Sequence, residues 1–428
     1  VNHPGKFNVL LTVLGSLGDL HPYIRMATEL RDGLGCAATI ATSKKFKERI
    51  ESLGFSFIPL KPSDDDLGEK SEWVKRAMDP QDGPEYILRE FIMPFAEHNL
   101  EVLNALPEFD LYISHPLTFG TPIIAEKRSK PWLSIALAPI SVISSFDPPL
   151  LPRFEFLEIF RGRSRAVFEA FFIAGNLITK SWTEPVQKMR LKMGLARIKD
   201  SPILRGQYSP YGTLICFPSW IGERQADWPA NSQQIGFPFY DADERKIPAE
   251  LEGFMDGEFN TTVYTLGSIA VEAESEFFDV AARVHIERGE PAVFLCGEQT
   301  ELVRARLPRS NLIAVTPFAP HSVLFPRAKT VVHQAGIGTL SQAMLGGRPQ
   351  IIVPFANDQF DNARRAKKLG IAQVIQLRKW SEKTLSQALN NSQEPNVLKQ
   401  AMLISKSLKN DNFSDEFVRA VRSFVHPV

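Results

Sequence analysis

Residues 318–362 read FAPHSVLFPRAKTVVHQAGIGTLSQAMLGGRPQIIVPFANDQFDN, and they hold the side chains best spaced to do chemistry. A short apolar run at 329–333 ends in His333, turns through Ala335, Gly336, Gly338 and Thr339, and feeds a helical pattern at 340–345. A strand that turns into a helix this way leaves N–H groups at the positive end of the helix dipole, and these hold anions such as phosphate. His333 can donate from its imidazole to the same anion. Asp358 and Gln359 offer the acceptors and donors that vicinal sugar hydroxyls need. The set suits a nucleotide carrying a sugar. A tight turn in an ordinary α/β domain explains the glycines alone equally well, and Asp358 also fits the cap of a helix at 359–368.

A second group follows the first apolar run. The turn GSLGDLHP at 15–22 puts Asp19 and His21 where a strand gives way to a helix. Asp19 can be a general base or the N-cap of that helix, and His21 can be catalytic or a surface histidine. Two acidic clusters, Asp64 to Asp66 and Asp241 with Asp243, have no histidine or further acid at ligand spacing. They read as solvated loops, so no metal site is expected.

Such residues act only if a sheet holds their turns in place. Strands are expected at 7–14, 37–42, 55–60, 111–114, 132–137, 213–217 and 233–236 in the first half. Leu20, Ile24, Ala27, Leu30 and Leu34 recur at helical spacing between the first two, with Pro22 early and Gly33 and Gly35 at the end. Further helices are expected at 44–52, capped by Ser43, and at 121–128. A second alternating series has strands at 262–266, 292–296, 312–315, 330–333 and 350–353, followed by a helical tail at 381–424. Strand–helix alternation in both halves predicts an α/β chain with two Rossmann-like, doubly wound parallel sheets facing a cleft. The region 140–210 breaks the rhythm with prolines and then aromatic helical segments. It is either a binding wall or an amphipathic helix pair packed on the sheet.

Composition narrows the partners. The chain of 428 residues balances 49 Lys and Arg against 49 Asp and Glu, so no net field favours nucleic acid or an anionic membrane surface. Cys36, Cys216 and Cys296 are far apart and sit in apolar runs, which suggests buried free thiols in a reducing compartment. The apolar run near the N-terminus is too short to span a bilayer, and 167–178 is broken by Glu169, Gly175 and Asn176. The expectation is a cytoplasmic protein with no stable membrane insertion, as a monomer or weak dimer.

Together these residues resemble the family 1 glycosyltransferases of the GT-B fold, over most of the chain. Bacterial members carry His-His-Gly-Gly-Ala-Gly-Thr, an acid in the following helix, then Pro and Asp-Gln. This chain has HQAGIGT at 333–339, Gln342, Pro354 and Asp358-Gln359. Its GSLGDLHP is similar to the Gly-Ser-Arg-Gly-Asp-Val-x-Pro of the sterol and antibiotic branch. The resemblance implies an acceptor-binding domain at 1–236, a linker at 237–250, a nucleotide-sugar domain at 251–405, and a helix at 406–428 packing back on the first domain. It implies that Phe318 stacks on the base with Ala319 bonding it through the backbone, and that His333, Gly336, Gly338, Thr339 and Ser268 hold the pyrophosphate. Asp358 and Gln359 would hold the transferred sugar. Asp19 falls where many members have a catalytic histidine, and His115 lies near where they place its orienting acid. Gln342 stands where an acid usually grips the ribose, and Gln334 and Ala335 also depart from the pattern.

The activity implied is inverting, metal-independent transfer of a hexose, glucose first among candidates, from UDP-sugar to a hydroxyl of a lipophilic acceptor such as a sterol or polyphenol. No prosthetic group is expected. Asp19 would be the base, with its pKa raised by burial and with His21 or His115 as helper. Phe91, Phe146 and Phe172 would line the acceptor pocket. A hydrolysing UDP-sugar epimerase and a non-catalytic nucleotide-sugar sensor are the alternatives.

Overall fold

The computed structural model describes residues 5–240, 246–255, 260–267 and 276–425. By contact density they divide into two compact units. The first comprises Val1–Trp73, Asp82–Tyr240 and Asn412–Val428, and the second Val74–Gln81 and Asp241–Asp411.

The first unit is built on a parallel sheet of seven strands: β1 (Asn8–Thr12), β2 (Ala37–Ser43), β3 (Ser56–Leu60), β4 (Leu111–Ser114), β5 (Trp132–Ala136), β6 (Thr213–Ile215) and β7 (Ser232–Gln234). Their order is β3-β2-β1-β4-β5-β6-β7. Strand β1, NVLLT, is buried at every residue, as a strand covered on both faces by helices must be. The helix Leu17–Leu34 buries Leu20, Ile24, Ala27 and Leu30, and stops at Gly35, whose φ of 66° few other residues adopt readily. Truncating Ile24 or Leu30 to alanine should cost roughly 2–5 kcal/mol, since both are fully buried. The helix Phe413–Val425 packs on this one: the Ser414 hydroxyl bonds Glu29 at 2.8 Å and accepts from Arg25 at 2.7 Å.

The second unit repeats the plan with six parallel strands: β8 (Thr262–Thr265), β9 (Ala292–Leu295), β10 (Ile313–Thr316), β11 (Thr330–His333), β12 (Gln350–Ile352) and β13 (Ala372–Val374). The order is β10-β9-β8-β11-β12-β13. Each sheet therefore reverses direction beside its first strand, between β1 and β4 in one and between β8 and β11 in the other. Loops at the carboxyl ends of such a pair open onto a crevice, and ligands of doubly wound sheets bind there.

The crossover from β3 to β4 contains helices at Lys70–Ala77 and Ala96–Ala105 that the sequence pattern does not announce, and β13 was likewise unexpected. Ser43 does not cap a helix with its side chain; a 3-10 turn, Lys44–Phe46, comes first. The middle region is only partly packed on the sheet. Helix Glu184–Lys192 buries Val186 and Met189 in the main core, whereas Arg165–Trp182 buries only Phe168, Phe172 and Thr179, the two aromatics forming a small cluster with Ile143. All three cysteines are free and buried.

Candidate active site

At the crevice of the first sheet, β1 delivers the turn that carries Asp19 and β4 delivers His115. Ser16, not Asp19, is the N-cap of helix Leu17–Leu34, and Asp19 closes a capping box from the third helical position. Its Oδ2 accepts from the Ser16 N–H at 2.7 Å and the Ser16 hydroxyl at 3.1 Å. The carboxylate folds back so tightly that a Cβ on Gly15 would lie 2.2 Å from Oδ2, and Gly15 takes a φ of +145° there. Any other residue at 15 would displace the acid.

The second oxygen, Oδ1, faces His115 Nε2 at 3.7 Å. His115 Nδ1 accepts from the Leu117 N–H at 3.2 Å, which leaves the proton of a neutral ring on Nε2, directed at the acid. Backbone bonds fix that ring: the His115 N–H donates to Thr12 and its carbonyl accepts the Thr118 hydroxyl at 2.8 Å, while Thr118 bonds Thr12 across the sheet at 2.9 Å. Burial by itself would push the Asp19 carboxyl up, but His115 and the bonds from Ser16 outweigh it and hold the group below its ordinary value. The expected upward shift is thus reversed. Asp19 is a well-ordered, weakly basic carboxylate. His21 does not join the pair; its ring lies 5.2 Å from that of Tyr240.

At the crevice of the second sheet, β11 leads through Ala335 into helix Ile337–Leu345, whose N-cap is Gly336 with no side-chain cap bond. Gly338 and Thr339 are the second and third helical residues, so their N–H groups lie among the unsatisfied donors of the first turn. Ala335 has a φ of 71°, a left-handed conformation that costs an alanine about 1 kcal/mol. Two bonds hold it there. Its N–H donates to His333 Nδ1 and its carbonyl accepts from Asn362 Nδ2, both at 3.0 Å.

His333 is fully buried, and its Nε2 bonds Gln350 Oε1 at 2.8 Å. Both ring nitrogens are committed within the unit, and burial drives its pKa down to about 4, so the ring is neutral. This corrects the expectation that the imidazole itself donates to a phosphate. His333 shapes the turn, and the helix start is what remains to meet an anion. His321, stacked on Phe325 at 4.3 Å, is also held near 4 by burial.

Asp358 Oδ2 accepts from Asn362 Nδ2 at 2.7 Å, and Gln359 Oε1 accepts the N–H groups of Phe355 and Ala356 at 2.8 and 3.1 Å. Gln359 thereby braces the loop after β12. Gln342 is 7% exposed, and its Oε1 has no bonding partner among the described residues. Phe318 is 46% exposed, next to the buried Ala319. Ser268, Asp241 and Asp243 lie outside the described residues. Asp64 and Asp66 pair with Lys45 at 3.0 Å and Lys61 at 2.7 Å.

The three phenylalanines expected to form one pocket are not together. Phe91 packs on Trp73 at 5.4 Å, Phe172 is buried beside Ile143 and Phe168, and Phe146 lies under the Arg165 guanidinium at 3.9 Å. A cavity of about 460 Å³ instead opens beside His115, walled by Phe119, Ile123, Trp132, Ile198 and Tyr208. The structural roles of Ser16, Gln350 and Asn362 were missed. The first was readable, since Ser16-x-x-Asp19 has capping-box spacing. The others depend on neighbours that meet only in the folded sheet.

Residues 290–421 match the family described as erythromycin biosynthesis protein CIII-like, C-terminal domain. The chain is 27% identical over 384 residues to O-mycaminosyltylonolide 6-deoxyallosyltransferase of Streptomyces fradiae, covering 85% of this chain and 84% of the relative. It is 23% identical to a sterol 3-beta-glucosyltransferase of Arabidopsis thaliana, covering 97% of this chain but 65% of the relative. A sterol 3-beta-glucosyltransferase of Komagataella phaffii is 24% identical, and the chain spans 34% of its length. Among solved structures, the glycotransferase of kitacinnamycin superposes with a TM-score of 0.70 at 18% identity, covering 99% of this chain and all of the other. The glycosyltransferase VinC in complex with DTDP gives 0.66 at 18% identity, with 97% and 99% coverage.

Proposed function

We propose that the chain is a family 1 glycosyltransferase of GT-B fold and that it moves a hexose from a nucleoside diphosphate sugar to a hydroxyl of a lipophilic small molecule, with inversion. The observation that carries this reading is the open helix start at Gly336, placed at the reversal point of the second sheet with nothing of its own side chains capping it. The diphosphate sits there, its charge met by the first-turn N–H groups and the helix dipole as it leaves. Thr339 adds a hydroxyl, Asp358 faces the sugar, and Phe318 offers an exposed ring to the base. The relatives act on a macrolide and on sterols by name, which favours a lipophilic acceptor here.

Asp19 takes the acceptor proton. A carboxylate held below its ordinary pKa cannot deprotonate an alcohol in advance, so proton transfer accompanies attack on the anomeric carbon. His115 orients the acid through Nε2–H. Because one oxygen of Asp19 is tied to Ser16, the proton goes to Oδ1.

Asp19→Asn keeps the size of the side chain but removes the base. Transfer from UDP-glucose to a hydroxylated aglycone should fall by about a thousandfold, while calorimetry finds the donor bound as before. Substantial residual turnover would remove Asp19 from the role.

A further inference from the structure

Helix Arg165–Trp182 turns an apolar face outward. Ile173, Leu177 and Ile178 are 65, 64 and 59% exposed. Ala166, Ala170 and Ala174 are exposed on the same face at helical spacing, opposite the buried Phe168, Phe172 and Thr179. The preceding segment, Pro152–Phe160, adds Phe156 and Ile159, 64 and 62% exposed, and is held against the helix by Phe154 on Phe171 at 4.8 Å. Single exposed apolar residues are ordinary on any surface; a contiguous set of this size marks an interaction face.

Charge identifies what the face meets. The whole chain is neutral, yet residues 151–200 hold ten Lys and Arg against five Asp and Glu. Most of these cations are paired: Arg161 with Glu158, Arg165 with Glu169 and Arg197 with Glu184 inside this stretch, and Arg153, Arg190 and Lys192 with Asp82, Glu126 and Glu97 outside it. Arg163 and Lys180 have no ion pair among the described residues. Arg163 lies just before the helix, and Lys180 is in its last turn, seven residues from Ile173 and so at the edge of the stripe. Pairing this face with a second copy of itself would set cation against cation in either orientation. An anionic surface meets both features at once.

We propose that this face docks on the surface of an anionic lipid bilayer. The helix lies flat, with Ile173, Leu177, Ile178, Phe156 and Ile159 at the acyl boundary and Arg163 and Lys180 among the headgroup phosphates. It rests on the membrane without crossing it, since no helix among the described residues is long and apolar enough to do so.

Sedimentation with vesicles tests this without donor or acceptor, so the result is independent of the transfer reaction. Phosphatidylcholine–phosphatidylglycerol vesicles should bind the full chain about tenfold more tightly than phosphatidylcholine alone, and added salt should erase the difference. The double variant Ile173→Ser, Leu177→Ser should lose binding to both lipids. Arg163→Gln with Lys180→Gln should lose only the preference for the anionic one. All four positions are outside the buried core, and an unchanged Tm verifies folding. Absence of vesicle binding, equal binding to both lipids, or wild-type binding by the serine variant would each overturn the proposal. So would a concentration-dependent dimer, seen by analytical ultracentrifugation, that the serine variant abolishes.

Discussion

The helix that follows β1 and the helix that follows β11 each begin beside the reversal point of their sheet, one after the strand before that point and the other after the strand beyond it, and their first turns are finished differently. In the first unit Ser16 and Asp19 close the helix start, and the acid supplies the negative charge that the dipole favours. In the second unit Gly336 leaves the start uncapped, although the turn before it is clamped by His333 and Asn362. A charge at a helix N-terminus contributes roughly 0.3–1 kcal/mol when exposed and up to about 2 when partly buried. The first unit uses that energy in folding and keeps a carboxylate at its crevice; the second leaves it unused at an uncapped helix start. One architecture thus leaves a carboxylate at one crevice and an uncapped helix start at the other, which we propose act as base and anion site.

Giving the second helix an acid of its own should make it behave like the first. Gly336 has a φ of −55°, which any residue accepts, and a Cβ there would meet only the end of the Gln334 amide at 3.1 Å. Gly336→Asp should therefore fold, with a Tm equal to or above that of the wild type. Its carboxylate would occupy the helix start and repel the diphosphate, weakening donor binding by about tenfold to a hundredfold. Calorimetry with a nucleoside diphosphate sugar measures this directly. Unchanged donor affinity would place the diphosphate elsewhere.

The first crevice can be loosened through His115. Its Nε2–H is one of the influences holding the Asp19 pKa down, and Ser16 supplies the others. In His115→Phe the acid keeps its burial and loses that partner, so its pKa rises. The acid limb of the kcat/KM profile should move to higher pH, with a loss of a few-fold on the plateau. A limb that stays in place or moves down would mean that His115 does not act on the rate through Asp19.

Much of this contrast was legible before folding, because it rests on local pattern. Strands 111–114 and 330–333 were read to the residue, and the glycine turn, the Asp19 turn and the alternation of elements all follow from spacing. What escaped depends on contacts between distant residues. Nothing around His333 announces that Gln350, seventeen positions on, takes its second nitrogen, and without that bond the ring reads as a free donor. The direction of the Asp19 pKa depends likewise on His115, which only the adjacency of β1 and β4 brings near. The short β13, AQV, has no alternation to read; its neighbours in the sheet make it a strand. The three phenylalanines expected at the acceptor failed as a pocket for a related reason, since aromatic residues in a sequence do not say which of their rings meet.

The two units should also respond differently to acid. His285, His321 and His333, all in the second unit, are each held near a pKa of 4 by burial, and His285 is further fixed by the Tyr264 hydroxyl at 2.8 Å. In the unfolded chain such rings take up protons near 6.5, so between about pH 6.5 and 4 the unfolded state binds more protons. Stability of the second unit therefore falls as pH drops through that window, by up to about 1.4 kcal/mol per pH unit for each histidine. Asp19 works in the other range. Its folded pKa is depressed, so its contribution is present above the ordinary carboxylate value and is lost only as pH falls below that value. Hydrogen exchange between pH 7 and 5 should show protection lost first around β11 and β12, with the helix after β1 unaffected. His285→Gln should flatten the dependence of Tm on pH in this range by removing one of the buried rings. Equal loss of protection in both units would mean that the histidines are not what makes the second unit sensitive to acid.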